Sequence, residues 1–119
     1  TTMNKQLSDT EKIFLSQLPE SIVLEGSFGT REIEIDGRPL YPEQSLKVCN
    51  HSPDGFNWGY GGSGPAQLAL AILLKYAGTI LATKYYQDFK FGFIAGLPRT
   101  DFIKTVNLRQ LMTEILQNK

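Results

Sequence analysis

Apolar positions recur along this chain with different periods, and each period predicts a different kind of element. Ser8-Asp9-Thr10-Glu11 fits a capping box, in which Ser8 bonds the Glu11 amide and the Glu11 carboxylate reaches back. Phe14, Leu15 and Leu18 then share one face and Pro19 stops the run, so a helix is predicted at about 9–18. Ile22–Gly26 and Arg31–Asp36 then look like strands, the second alternating cleanly, with Ile33 and Ile35 inward and Arg31, Glu32, Glu34 and Asp36 mostly outward. These are two strands, with Ser27-Phe28-Gly29-Thr30 as a hairpin connection. Asp36-Gly37-Arg38-Pro39 reads as a second turn, Leu46–Cys49 as a third strand and Phe56–Trp58 as a short fourth.

From Ala66 to Ala77 the chain is apolar nearly all round, as in a buried central helix; Pro65 suits its first turn, Ser63 or Gly64 its N-cap and Gly78 its C′ position. Thr79 caps another helix, to about Ala95, in which Leu81, Tyr85, Phe89 and Phe93 recur every four residues. Gly96 and Pro98 end it, and a linker carrying Phe102 and Ile103 follows. Asn107–Gln110 resembles a capping box for a last helix to about Gln117, striped by Leu108, Leu111, Met112 and Ile115. The expected fold is α+β: a small antiparallel sheet of three or four strands on a buried central helix, with flanking helices. A single domain over residues 1–119 accommodates all of it.

Between strands and central helix lies the densest chemistry. His51-Ser52-Pro53-Asp54-Gly55-Phe56-Asn57-Trp58-Gly59-Tyr60-Gly61-Gly62-Ser63-Gly64 holds the only His, the only Trp and five of the eleven glycines. Freed amides at a helix N-terminus can cradle an anion, which makes His51, Asp54, Trp58, Tyr60, Gly61, Gly62, Ser63 and Gly64 the candidate ligand-binding residues. The known phosphate patterns do not fit. Residues 59–64 satisfy G-x-G-x-x-G literally, without the βαβ context or a ribose-binding acid, and the P-loop lysine is missing. Ser63 stands in Gly-Gly-Ser-Gly-Pro, where the proline breaks a nucleophile elbow. Cys49 and His51 lack a third catalytic partner, and Cys49, His51 and Asp54 are too few and too close for a structural zinc site. No catalytic residue, metal or cofactor is implied. The bland account competes: His51–Gly55 as a turn, glycines for tight packing, and Phe56 and Trp58 buried with Tyr60 half-exposed.

Tyr86, Lys90 and Phe93 fall on one flank of the second long helix, with Tyr85 and Phe89 on another. Two aromatic flanks fit either a helix packed on two sides or a surface for a homodimer or another protein. Lysine plus arginine equals aspartate plus glutamate, 12 against 12, which does not suggest a nucleic-acid binder. The charge is unevenly placed: residues 1–60 carry nine acids and five bases, residues 61–119 three acids and seven bases. That split would favour head-to-tail association, weakening as salt rises. A lone Cys49 gives no disulfide, and no apolar run reaches the roughly 20 residues of a membrane span. The cytoplasm is the expected compartment.

Asn50 through Leu73 resembles the signature N-H-S-P-D-G-F-x-W-G-Y-G-G-S-G-P-A-Q-L-A-L-A-I-L of a small bacterial, plasmid and phage domain family of unknown function. Asp36–Leu40, Tyr86-Gln87-x-Phe89-Lys90 and Gly96-Leu97-Pro98 extend the likeness to about residues 31–103, leaving the first and last helices outside. The resemblance carries no activity and no catalytic residue. It implies a small non-enzymatic protein, encoded by a mobile element, that binds and modulates a host or defence component. The alternative is a small-ligand or anion binder, or an enzyme, using the glycine-rich loop.

Overall fold

The structure, a computed structural model, describes residues 5–119; residues 1–4 of the expected span lie outside the described residues. It is an α+β fold with a four-stranded antiparallel sheet in the order β3-β2-β1-β4. Helix α1 (Asp9–Gln17) begins with the expected capping box: Ser8 Oγ accepts from the Glu11 amide, and the Glu11 carboxylate accepts from the Ser8 amide at 2.8 Å. Strands β1 (Ile22–Ser27) and β2 (Glu32–Ile35) pair with Gly26 opposite Ile33 and Leu24 opposite Ile35. Alternation works as expected in β2, and β1 shows it as well. Ile22, Leu24, Ile33 and Ile35 are all buried, while Glu25, Ser27 and Glu32 face out.

Several expectations along the chain need correction. Asp36-Gly37 is a tighter turn than expected, both residues having positive φ (53° and 78°), so Arg38–Leu40 returns at once as β3. The segment taken for a third strand, Leu46–Cys49, lies in and just after helix α2 (Glu43–Val48). Pro42 starts that helix, Glu43 and Lys47 suit its two ends, and Ser45 is turned into the interior. Phe56–Trp58 is irregular, its ends bent by positive φ at Gly55 (104°) and Gly59 (86°). The fourth strand is instead β4 (Phe102–Val106), expected as a linker, which pairs with β1 so that Gly26 faces Phe102 and Ile22 faces Val106. Only its two end residues are buried, so its apolar alternation is weak in sequence.

Helix α3 (Ser63–Tyr76) is the centre of the core: every residue from Gly64 to Leu73 is buried. Helix α4 (Thr79–Gly92) packs along it, with Gly78 serving both as the residue after the α3 cap and as the α4 N-cap, so that Thr79, expected as the cap, is its first residue. A 3-10 turn at Ile94–Gly96 follows in place of the last helical residues expected up to Ala95. Helix α5 (Leu108–Gln117) buries Leu108, Met112 and Leu116. Its expected capping box does not form: Asn107 makes no side-chain cap bond, and Gln110 donates to Glu114 instead. No helix among the described residues is long and apolar enough to cross a membrane.

Two stability predictions follow from this frame. Tyr85 is buried against Phe14, and its hydroxyl has no partner among the described residues. Burial first, then the Glu11 and Asp88 carboxylates, push that phenol above its usual range. Tyr85→Phe removes an unsatisfied polar atom and should stabilise the fold by about 1 kcal/mol in urea unfolding. A loss of that size would mean the hydroxyl is bonded. The Glu11 carboxyl is held below the usual carboxylate range, chiefly by the Ser8 amide and also by Lys5. Its stabilisation is therefore complete above the usual carboxylate range and lost as pH falls through the depressed one. Glu11→Gln should flatten the acid limb of a stability–pH profile and leave the neutral limb parallel to the native one.

Candidate functional site

The loop from Cys49 to Gly62 is held at two points, and the side chains that hold it determine what it can do. Gln67, fully buried on α3, holds the first. Its Oε1 accepts the amides of His51 (2.8 Å) and Ser52 (3.1 Å), while its Nε2 donates to Ser45 Oγ (2.8 Å) and the Cys49 carbonyl (3.1 Å). Ser45 in turn donates to the Pro42 carbonyl at 2.7 Å. One planar amide thus ties α2 and the start of the loop to the central helix, with both its donors and its acceptor engaged.

His51 completes that anchorage. Its Nε2 lies 2.6 Å from the Tyr86 hydroxyl, which also accepts from Gln87 Nε2 at 3.2 Å. Burial raises the Tyr86 phenol above its usual range and the nearby Cys49 thiol adds to this, while the Gln87 bond opposes it. Tyr86 therefore stays protonated at neutral pH. The His51 nitrogen is engaged by Tyr86 rather than by Cys49 or Ser63, so the histidine ties the loop to α4.

Trp58 holds the second point. It is fully buried, edge-on to Phe28 and Phe102, with its indole N–H directed at the Thr100 carbonyl (3.4 Å). Arg99 donates to the Trp58 carbonyl (2.9 Å), and Arg31 donates to Asn57 Oδ1 (3.2 Å) while lying 3.7 Å over the Phe28 ring. Two glycines serve this packing. Gly59 needs its positive φ where its amide meets the Ile94 carbonyl, and a Cβ at Gly64 would lie 2.5 Å from Asn57 Cβ and 3.2 Å from its amide.

What remains outward is the rim. Tyr60 (42% exposed), Gly61 and Ser63 sit at the start of α3, and Phe91 of α4 (66% exposed) comes beside Gly61. The Arg99 guanidinium lies 5.0 Å from the Tyr60 ring centre and the Lys90 ammonium 3.9 Å from that of Phe91. Lys90 itself is buried, reaching the Gly61 carbonyl at 3.4 Å. Among the described residues, Arg31, Lys90 and Arg99 form no ion pair; the nearby Asp101 carboxylate accepts the Phe28 amide.

The residues proposed for a ligand therefore separate. Trp58 is core, His51 belongs to the Gln67 anchorage, and Tyr60, Gly61, Gly62 and Ser63 lie along the rim. Asp54 lines a cleft of about 390 Å³ with Arg31, Glu32, Glu34, Tyr41 and Phe56, which a second cleft of about 380 Å³ adjoins at Leu40 and Tyr41. Tyr60, Gly61, Gly62 and Ser63 line neither. On α4, Tyr86 and Lys90 are buried and Phe93 is half-buried and stacked on Phe89, so the two-sided packing applies and Phe91 is the outward aromatic. No group of three or more His, Cys, Asp or Glu able to hold a metal occurs among the described residues. Sequence reasoning missed Arg31, Arg99 and Phe91. They come from separate segments, and only the positive φ of Arg31 (63°), invisible in sequence, sets one of them apart.

The Gln67 anchorage has a direct test. Gln67→Met keeps the volume but strands the His51 and Ser52 amides and the Cys49 carbonyl. It should cost on the order of 2–4 kcal/mol in urea unfolding and speed amide exchange at residues 51 and 52 more than at Leu24. A loss under about 0.5 kcal/mol would show that water replaces the amide.

No curated protein and no solved structure matches the chain. A family model matches residues 25–114, from within β1 through most of α5, so the last helix lies largely inside the family and α1 outside it. With three-quarters of its length covered, including the Gln67 anchorage, the Trp58 plug and the aromatic rim, the chain belongs to the family of unknown function DUF6166.

Proposed function

We propose that this protein is a non-enzymatic interaction module whose contact surface is the rim formed by Tyr60, Gly61, Ser63, Phe91 and Arg99. The observation that carries the reading is the exposure of two aromatic rings, each with a cation against it and no carboxylate paired to that cation. Exposed aromatic and arginine side chains are the composition of interface hot spots. The unpaired cations and the positive end of α3 favour an acidic partner. The clamped loop supplies rigidity, so little conformational freedom is lost when the rim is covered. The resemblance to domains of plasmids and phages makes a host or defence component the partner class to test first.

A reaction has less behind it. His51 is committed to Tyr86, Asp54 faces a different cleft, and Ser63 is the first residue of α3. The test compares immobilised native chain with Phe91→Ala, Arg99→Glu and a control at the far more exposed Ile80, Ile80→Ala (84% exposed). Capture of a defined protein from bacterial extract should drop about tenfold or more for the two rim variants and stay unchanged for the control, with thermal midpoints preserved. Equal capture by all four proteins would reject the rim.

A further inference from the structure

We propose that the rim's occupant can be a second copy of this chain, which docks through the uncovered face of its own sheet. This rests on the rim being a contact surface, as proposed above, and adds what covers it. The helices lie on one face of the sheet, and the opposite face presents Val23, Glu25 and Ser27 of β1, Glu32 and Glu34 of β2, Pro39 of β3 and Ile103 and Thr105 of β4. Three of these are carboxylates. None of the strand residues on this face is basic, because Lys104 pairs with Leu24 and Arg38 with Ile35 on the other side. None of the three carboxylates has an ion-pair partner among the described residues.

Glu25 stands directly opposite Glu34 across the β1–β2 pair, an arrangement that costs stability in an isolated sheet. Ile103, 66% exposed, is the neighbour of Glu25 on the other side, and Val23 is 37% exposed. The face is therefore apolar patches among unpaired acids. The rim is its complement: apolar rings among unpaired cations, Arg99 outward and Lys90 beneath. A formal net charge of zero leaves no overall repulsion between copies to oppose the match. The two surfaces are different parts of the molecule, so the contact is head-to-tail and propagates into a ring or a short filament. Its ionic part weakens as salt shortens the reach of charges to about 10 Å or less.

The experiment is sedimentation equilibrium of the full chain at low and high salt, with Glu34→Lys, Arg99→Glu and their equimolar mixture. The native chain should gain mass with concentration at low salt and lose that gain at high salt. Each reversal should weaken association about tenfold or more, and the mixture should recover it, because reversed face then meets reversed rim. Circular dichroism melts verify that each variant is folded; should Arg99→Glu be unstable, Glu25→Lys and Arg99→Gln replace the pair, and each alone should weaken association, with no recovery required of their mixture. A native chain that stays monomeric at low salt overturns the inference, as does association indifferent to both reversals. If the chain is monomeric while Phe91→Ala still abolishes capture of another protein, the rim stands and only the self-docking fails. If the copies associate through both surfaces while capture is indifferent to Phe91, the rim stands as a contact between copies and only capture of another protein through it fails.

Discussion

The side-chain amide of Gln67 is the constraint on which the rest of this structure depends. It lies fully buried in the most apolar helix of the chain, where an unpaired amide would be costly, and every hydrogen-bonding direction it uses ends on the segment 45–52. That geometry requires two donors and an acceptor on one planar group. A glutamate at this position would lose the bonds to Ser45 and Cys49, and an apolar residue would lose all four. Because α3 is packed all round, the amide cannot move to seek other partners, and the loop takes its position from the helix.

With one end of the loop tied to Gln67 and the other filled by Trp58, the polar residues between them have little freedom. His51 reaches α4 through Tyr86, Asn57 is shared between the Trp58 amide and Arg31, and the Trp58 carbonyl is taken by Arg99. His51 is the one of these that a catalytic reading would have wanted, and it is occupied in holding the loop. The stretch from Tyr60 to Ser63 escapes this because it turns the corner into α3 at the surface. Plug and surface are therefore successive parts of one segment.

This division explains how much could be read from the chain alone. Elements with local signals were legible: the Ser8–Glu11 box, the Ile33/Ile35 alternation and the apolar run of α3. Burial of Trp58 and half-exposure of Tyr60 followed from their setting among glycines and apolar neighbours. What escaped was decided by distant partners. Leu46–Cys49 has a strand-like composition, yet Ser45, which accepts from Gln67, stands on a helical turn. Strand β4 shows little periodicity because it is an edge, buried only at Phe102 and Val106. Tyr86 and Lys90 look like an outer flank until α3 and the loop are placed against them.

The same separation bears on charge. Neither the acidic sheet face nor the cationic rim is needed to form the core, which is built from the inward side of the sheet and from α1, α3, α4 and α5. Both cost stability in an isolated chain: Glu25 faces Glu34, and Lys90 is buried with one long bond to the Gly61 carbonyl instead of a carboxylate. A single lysine on the sheet face or a single acid at the rim would relieve either strain without disturbing the packing beneath. Surfaces that hold like charges together, beside exposed apolar groups and on a rigid support, gain stability only when something complementary covers them. The fold thus accounts for the anchored loop, and the packing of the core leaves the charges on the sheet face and at the rim unrelieved.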